Sequence, residues 1–215
     1  MKVIDDGVIK YDRTNFSHSG PLSTSEYGEL EYWRKKLYKL NLIGEYAEAQ
    51  IGFGNMSSVM DYSEYFKSPN PQFVITGTQT GKYTDLNGSH YTRVLDYSIN
   101  GLKIKMMGSI EASSEALTHA AIYASNKNIK AIFHIHYQEI WKKMIDDNSD
   151  FTAANIPYGT VEMAHATQEC VAGKNSGTFC MRGHEDGVVI YGENMDEVGA
   201  LTIKLYQKYV SSNNS

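Results

Sequence analysis

Cysteine is nearly missing from this chain of 215 residues: only Cys170 and Cys180 occur, outside any C-x-x-C spacing. Two are too few for a disulfide framework, and both are expected to be reduced, buried small residues. Long apolar runs are missing too. No stretch approaches the roughly 20 apolar residues that a membrane helix requires, and the N-terminal MKVIDDGVIKYDRTNF lacks a cationic start followed by an apolar core. The expectation is a soluble, cytoplasmic protein with no membrane partner. A positive face is also lacking. The 20 Lys and Arg residues are scattered among 25 Asp and Glu, for a net charge of −5, which argues against nucleic acid as a partner. No internal repeat is visible, and low complexity is confined to the polar tail SSNNS.

What is present suits one globular domain with a single core. The chain is 41% hydrophobic and 21% charged, and its length leaves no room for a second full-sized domain. Residues 1–24 carry Gly, Ser, Pro and Asp without a sustained period and read as a loosely held arm. Residues 25–210 form the domain and 211–215 the tail. Over 27–42, Leu30, Trp33, Leu37, Leu40 and Ile43 recur every three or four residues, one helical stripe with Ser25 as N-cap. A brief strand is expected at 73–76. An antiparallel pair follows at 92–99 and 102–107, joined at Asn100-Gly101, a dipeptide that tolerates positive φ. Ser113 or Ser114 is expected to cap a helix running to residue 126, ahead of a strand at 130–136 and a helix at 137–145. The pattern then predicts a helix at 159–172 capped by Thr160, short strands at 178–181 and 187–191, and a last helix at 196–210. The hairpin among interleaved helices excludes an all-parallel sheet and predicts a mixed, largely antiparallel sheet flanked by helices.

The chemistry starts at AIFHIHY. In an extended run, side chains two apart share a face, so His134 and His136 point one way while Phe133 and Ile135 point the other. Two neutral imidazoles on one face can bind a divalent metal, but two ligands do not fill a tetrahedral site. The third has to come from His18, His90, His119, His165 or His184. The loop GHEDG between two short strands favours His184, whereas His119 and His165 fall in helices and serve equally well as packed residues. Glu115, opening the helix before the histidine strand, has two readings: a partner of the helix dipole, or a general base. His119, one turn on, either bonds that carboxylate or packs.

Three small-residue segments, GFGNMSS (52–58), TGTQTGK (76–82) and ASS (112–114), offer backbone N–H groups and hydroxyls suited to cradling an anion. The first is no dinucleotide fingerprint, because Ser57 stands where its last Gly or Ala belongs and no helix pattern clearly follows. The second is no nucleoside-triphosphate loop: its glycines are one residue too close, and Tyr83 replaces the magnesium-binding hydroxyl.

Taken together, IGFGNMS, FVITGTQTG, ASSEALTHAAIY, FHIHYQEIW, IPYGTVEMA and GHEDGVVIYG, spread from Ile43 to Tyr206, resemble the class II aldolase/adducin family. The resemblance implies an α/β fold, a three-layer α/β/α sandwich around a mixed, largely antiparallel sheet, assembled as a homotetramer with sites between subunits. It implies His134, His136 and His184 as ligands of Zn2+, with manganese, cobalt or iron as alternatives, and Glu115 as the catalytic acid/base. Gly54, Asn55, Thr76, Gly77, Ser113 and Ser114 fall where the family binds substrate phosphate. The implied activity is a zinc-dependent aldolase-type lyase acting on a small phosphorylated ketose through a metal-stabilised enediolate. An epimerase, dehydratase or decarboxylase on the same site, or a non-catalytic adducin-like binding module, are the alternatives. Two departures stand out. In the aldolase branch, a longer segment ahead of the motif matching YGTVEM carries a tyrosine that serves a neighbouring subunit's site, and here 155–157 runs straight into Tyr158. Glu185 and Asp186 also separate His184 from Gly187.

Overall fold

The computed structural model describes residues 7–210. The tail expected at 211–215 and residues 1–6 of the expected arm lie outside the described residues. In chain order the elements are β1 (Phe16–His18), α1 (Thr24–Lys39), β2 (Gly44–Tyr46), β3 (Ile51–Phe53), β4 (Asn55–Val59), β5 (Phe73–Thr76), β6 (Tyr91–Ser98), β7 (Lys103–Gly108), α2 (Ala116–Ser125), β8 (Ala131–His136), α3 (Gln138–Asp146), β9 (Phe151–Thr152), α4 (Val161–Val171), β10 (Gly177–Met181), β11 (Gly187–Gly192) and α5 (Met195–Tyr209).

Nine strands form one sheet in the order β1-β7-β6-β5-β4-β8-β11-β10-β9, and β2 and β3 form a separate hairpin. Only the two outermost pairs, β1 with β7 and β9 with β10, run parallel; the pairs between them are antiparallel. Helices α1, α3 and α5 cover one face, where Leu30, Leu37, Ile140 and Val198 pack on Met56, Phe133, Ile135 and Ile190. Helices α2 and α4 cover the other, where Leu117, Ala120 and Met163 meet Phe73, Ile75, Ile132 and Val189. The result is the expected three-layer α/β/α sandwich.

Several boundaries differ from the sequence reading, each for a local reason. Helix α1 is capped by Ser23 rather than Ser25, since the Glu26 carboxylate three residues on accepts the Ser23 N–H at 2.8 Å, the reciprocal half of a capping box. In the β6–β7 hairpin positive φ falls on Leu102 (48°), not on Asn100-Gly101; the chain turns over 99–102 and closes through Leu102 N–H to Ile99 O at 3.0 Å. The arm is tied down over its described part. Tyr11 and Leu22 are buried and β1 extends the sheet edge. Cys180 is buried as expected, while Cys170 is only partly so.

Candidate metal centre and its cleft

β8 lies mid-sheet between β4 and β11, and all six of its residues are buried. Ala131, Phe133 and Ile135 enter the core under α1, α3 and α5, and Ile132 enters the opposite core. By the same alternation His134 and His136 face the α2 side. Their Nε2 atoms approach to 3.0 Å. His184 arrives from the β10–β11 loop, a tight turn held by His184 N–H to Met181 O and Gly187 N–H to His184 O, both 3.0 Å. Its ring centroid lies 5.3 Å from that of His134 and 4.7 Å from that of His136. Gly187, opposite His136 on β11, makes room: a Cβ there would come within 2.8 Å of His184 Cδ2 and 3.1 Å of His134 Cε1. One nitrogen from each of the three rings lies within 4.8 Å of the others.

The other histidines do not join this group, although buried His119 lies near enough to feel the charge of His134. His18 and His165 are exposed, and His90 Nδ1 accepts the Asn87 N–H. His119 Nδ1 bonds Ser57 Oγ at 2.6 Å, and Ser57 Oγ in turn bonds Tyr123 OH at 2.7 Å.

Burial is the largest influence on each imidazole of the cluster. It pushes His134 down to about 4, with a backbone hydrogen bond to Val188 acting the other way. His136 lies well below its ordinary value, the charges of His184 and His134 adding to burial, and His184 does likewise, with His134 and Lys10 adding. All three rings are therefore neutral near pH 7 and can offer lone pairs. Two nitrogens at about 2.0–2.1 Å from a tetrahedral ion sit roughly 3.3 Å apart, so the 3.0 Å Nε2 pair needs only slight opening to hold one. The donor set fits a divalent transition metal.

The same shifts predict acid sensitivity of the metal-free protein. Unfolded histidines titrate near 6.5, so below that pH the unfolded chain binds more protons than the folded one. Stability is full above about pH 6.5 and is lost as pH falls toward the folded value of His134, about 4. His119, also pushed well below its ordinary value by burial, acts in the same direction. Urea unfolding of chelator-treated protein should show lower stability at pH ~5 than at pH ~7.5, with about 2 kcal/mol of the loss from His134 alone; equal midpoints at the two pH values would contradict it.

Residues 111–115 are pinned against the end of β5 by Thr78 N–H to Glu111 O (2.9 Å) and Ser113 N–H to Thr76 O (3.1 Å), with a bridge between Gly77 and Ala112. This sets Ser113, Ser114 and Glu115 beside the histidines. Glu115, not Ser113 or Ser114, occupies the N-cap of α2. The Ser113 hydroxyl instead accepts the Glu115 N–H at 3.3 Å. Glu115 is buried, and Thr118 Oγ1 donates to its Oε2 at 2.9 Å.

One cleft is lined by the three histidines, Glu115, and Gly54, Asn55, Gly77, Ser113 and Ser114. Gly54 has φ +77°, and a Cβ there would lie 2.8 Å from Ile43 Cγ1, so only glycine fits this bend beside β8. Asn55 Oδ1 is buried without a hydrogen-bond partner among the described residues, a polar group left for a ligand. Thr76 is not in the lining. Its buried hydroxyl accepts the Met56 N–H at 3.2 Å, tying β5 to β4 behind the cleft.

Sequence reasoning missed part of the wall, including Gly7, Phe53, Gln79 and Tyr158. Gln79 Oε1 accepts the Gly52 N–H at 2.8 Å. The Tyr158 ring lies 4.8 Å from that of His184, and its hydroxyl pairs with both the N–H (3.1 Å) and the O (3.2 Å) of Val8. The signal for Tyr158 was its place in IPYGTVEM; Gly7 and Val8 carried none.

Residues 40–207 match the family model described as Class II Aldolase and Adducin N-terminal domain. Among solved structures, the chain is similar to YgbL of Escherichia coli, a candidate aldolase/epimerase/decarboxylase, at 18% identity over 86% of each chain with a TM-score of 0.61. It is similar to an L-fuculose 1-phosphate aldolase at 19% identity over 90% of this chain and 89% of that one, with a TM-score of 0.60. YgbL of Klebsiella pneumoniae gives 17% identity over 86% of each chain and a TM-score of 0.61. No curated protein matches the chain in sequence. Identities this low speak for the fold alone, whereas the family model spans most of the sequence. The chain belongs to the class II aldolase/adducin family.

Proposed function

We propose that the chain is a divalent-metal-dependent aldehyde-lyase, zinc first among its metals, that cleaves a small phosphorylated ketose to dihydroxyacetone phosphate and an aldehyde. The observation that carries this reading is the convergence of three neutral imidazoles beside a buried carboxylate in one cleft. Nitrogens of His134, His136 and His184 would hold the ion. When bound, it supplies Lewis-acid stabilisation of negative charge developing on the substrate's neighbouring oxygens.

The chain's own groups do the rest. Carbon–carbon cleavage leaves an electron pair on the carbon next to the carbonyl, and that carbon then needs a proton. Glu115 shuttles it: the carboxylate takes the proton of the hydroxyl that becomes the aldehyde oxygen and hands it to that carbon, its Oε2 fixed by the Thr118 hydroxyl. Gly54, Asn55, Gly77, Ser113 and Ser114 bind the phosphate through N–H groups, the amide and hydroxyls, while Thr76 supports them from behind. Holding the remote phosphate orients the reacting carbons, which is where distant binding energy serves the rate. Four copies of the chain are proposed to assemble, with sites between subunits.

One observation keeps a second reading in play. Tyr158, the phenol beside His184, has its hydroxyl engaged by the Val8 backbone, so proton exchange on a leaving aldehyde oxygen is not assigned to it. Epimerisation, dehydration or decarboxylation of a β-keto acid would use the same cation site and carboxylate. A panel of ketose phosphates incubated with metal-loaded protein, with products read by mass spectrometry, tests the choice. Dihydroxyacetone phosphate plus an aldehyde supports the lyase. An epimer, a dehydrated product or CO2 moves the assignment to the second reading, and no turnover on any member leaves the adducin-like binding module.

A further inference from the structure

We propose that Tyr46 is a positioning residue of the metal centre, one that sets which nitrogen of His136 carries the proton and so which presents a lone pair to the ion. This rests on reading the three histidines as a metal centre. The two rings of the H-x-H pair face each other through Nε2, 3.0 Å apart, so Nε2 is the metal-facing nitrogen of His136. Its other nitrogen, Nδ1, lies 2.9 Å from the Tyr46 hydroxyl.

Tyr46 belongs to neither β8 nor the rest of the main sheet. It ends β2, which among the described residues pairs only with β3. The Phe53 ring on β3, with centroids 4.6 Å from the Tyr46 ring and 5.7 Å from His136, completes an aromatic wall behind the imidazole. Phe53 lines the cleft, but Tyr46 does not, so the phenol acts through His136 and not on a substrate.

A phenol suits this place for a reason that a carbonyl or carboxylate would not share. Those groups only accept, and would fix the Nδ1–H form of the ring permanently. A hydroxyl can do both. Without an ion it can donate to Nδ1 while Nε2–H bonds the Nε2 of His134; with an ion it accepts from Nδ1–H and leaves Nε2 unprotonated. Outer partners that orient a metal-bound histidine in this way are worth roughly 10–100-fold in metal affinity.

The test is Tyr46→Phe, which keeps the ring and its packing on Phe53 and removes only the oxygen. Zinc affinity is measured on the full chain by competition with a chromophoric chelator, and the absorption spectrum of the cobalt-loaded protein reports the geometry. Glu45→Gln is the companion, a change next to Tyr46 on β2 that keeps the phenol and the Phe53 ring and lies outside the cleft lining. The expected result is zinc binding about 10–100-fold weaker in Y46F, an altered cobalt spectrum, and an E45Q affinity within about threefold of the parent. If Y46F binds zinc as tightly as the parent, or E45Q weakens binding as much as Y46F, the hydroxyl has no positioning role and the inference is overturned. If the parent protein binds no zinc, the metal-centre reading fails first, and the inference with it.

Discussion

His134→Ala should remove stoichiometric divalent-metal binding and with it nearly all turnover. His134 comes from β8, all six of whose residues are buried, and its Nε2 faces that of His136. A missing ligand should therefore cost more than the roughly 10–100-fold typical of an outer-shell partner; we expect about 1,000-fold or more in affinity. Loss of Lewis-acid stabilisation worth about 4 kcal/mol corresponds to roughly 1,000-fold in kcat. The ring is neutral in the fold, because burial pushes its pKa down to about 4, so the substitution strands no buried charge and the far-ultraviolet circular dichroism should be retained. Retained metal together with unchanged activity would refute the ligand assignment.

Glu115→Gln should separate chemistry from binding. The side chain keeps its shape and an oxygen to accept the Thr118 hydroxyl, now 2.9 Å from Oε2, but can no longer exchange a proton. We expect kcat to fall by about 100- to 10,000-fold, with KM and metal content close to those of the parent. A kcat within about tenfold of the parent would assign Glu115 a role at the helix start and nothing more.

Much of the fold was legible because its elements announce themselves locally. Alternation in AIFHIHY gave β8 and placed both imidazoles on one face, and Thr160, which accepts the Met163 N–H at 3.1 Å, marked the start of α4. β4 gave no such signal. Its sequence NMSSV carries polar side chains into the interior, where the Ser57 hydroxyl is satisfied by His119 and Tyr123 rather than excluded. A hydrophobicity pattern cannot register a buried strand whose polar atoms are paired. β1 and β9, of three and two residues, are too short to display a period and exist because an edge offers them a partner.

The site divides along the same line. The histidines, Glu115 and the glycine and serine cradle lie in motifs that keep their spacing in the chain, and all of them reach one cleft. Thr76 does not, because whether a threonine at a strand end points into a cleft or braces its neighbour depends on register: here Met56 N–H takes the hydroxyl. Val8 and Tyr158, 150 residues apart in sequence, and Tyr46 and His136, 90 apart, meet only through the fold.

The most direct test of the metal centre is anomalous diffraction at the zinc edge from crystals of the zinc-loaded protein. The account predicts one strong peak per chain, about 2.0–2.1 Å from the Nε2 atoms of His134 and His136 and from a ring nitrogen of His184. A peak elsewhere on the chain, or none between those three rings, would contradict it.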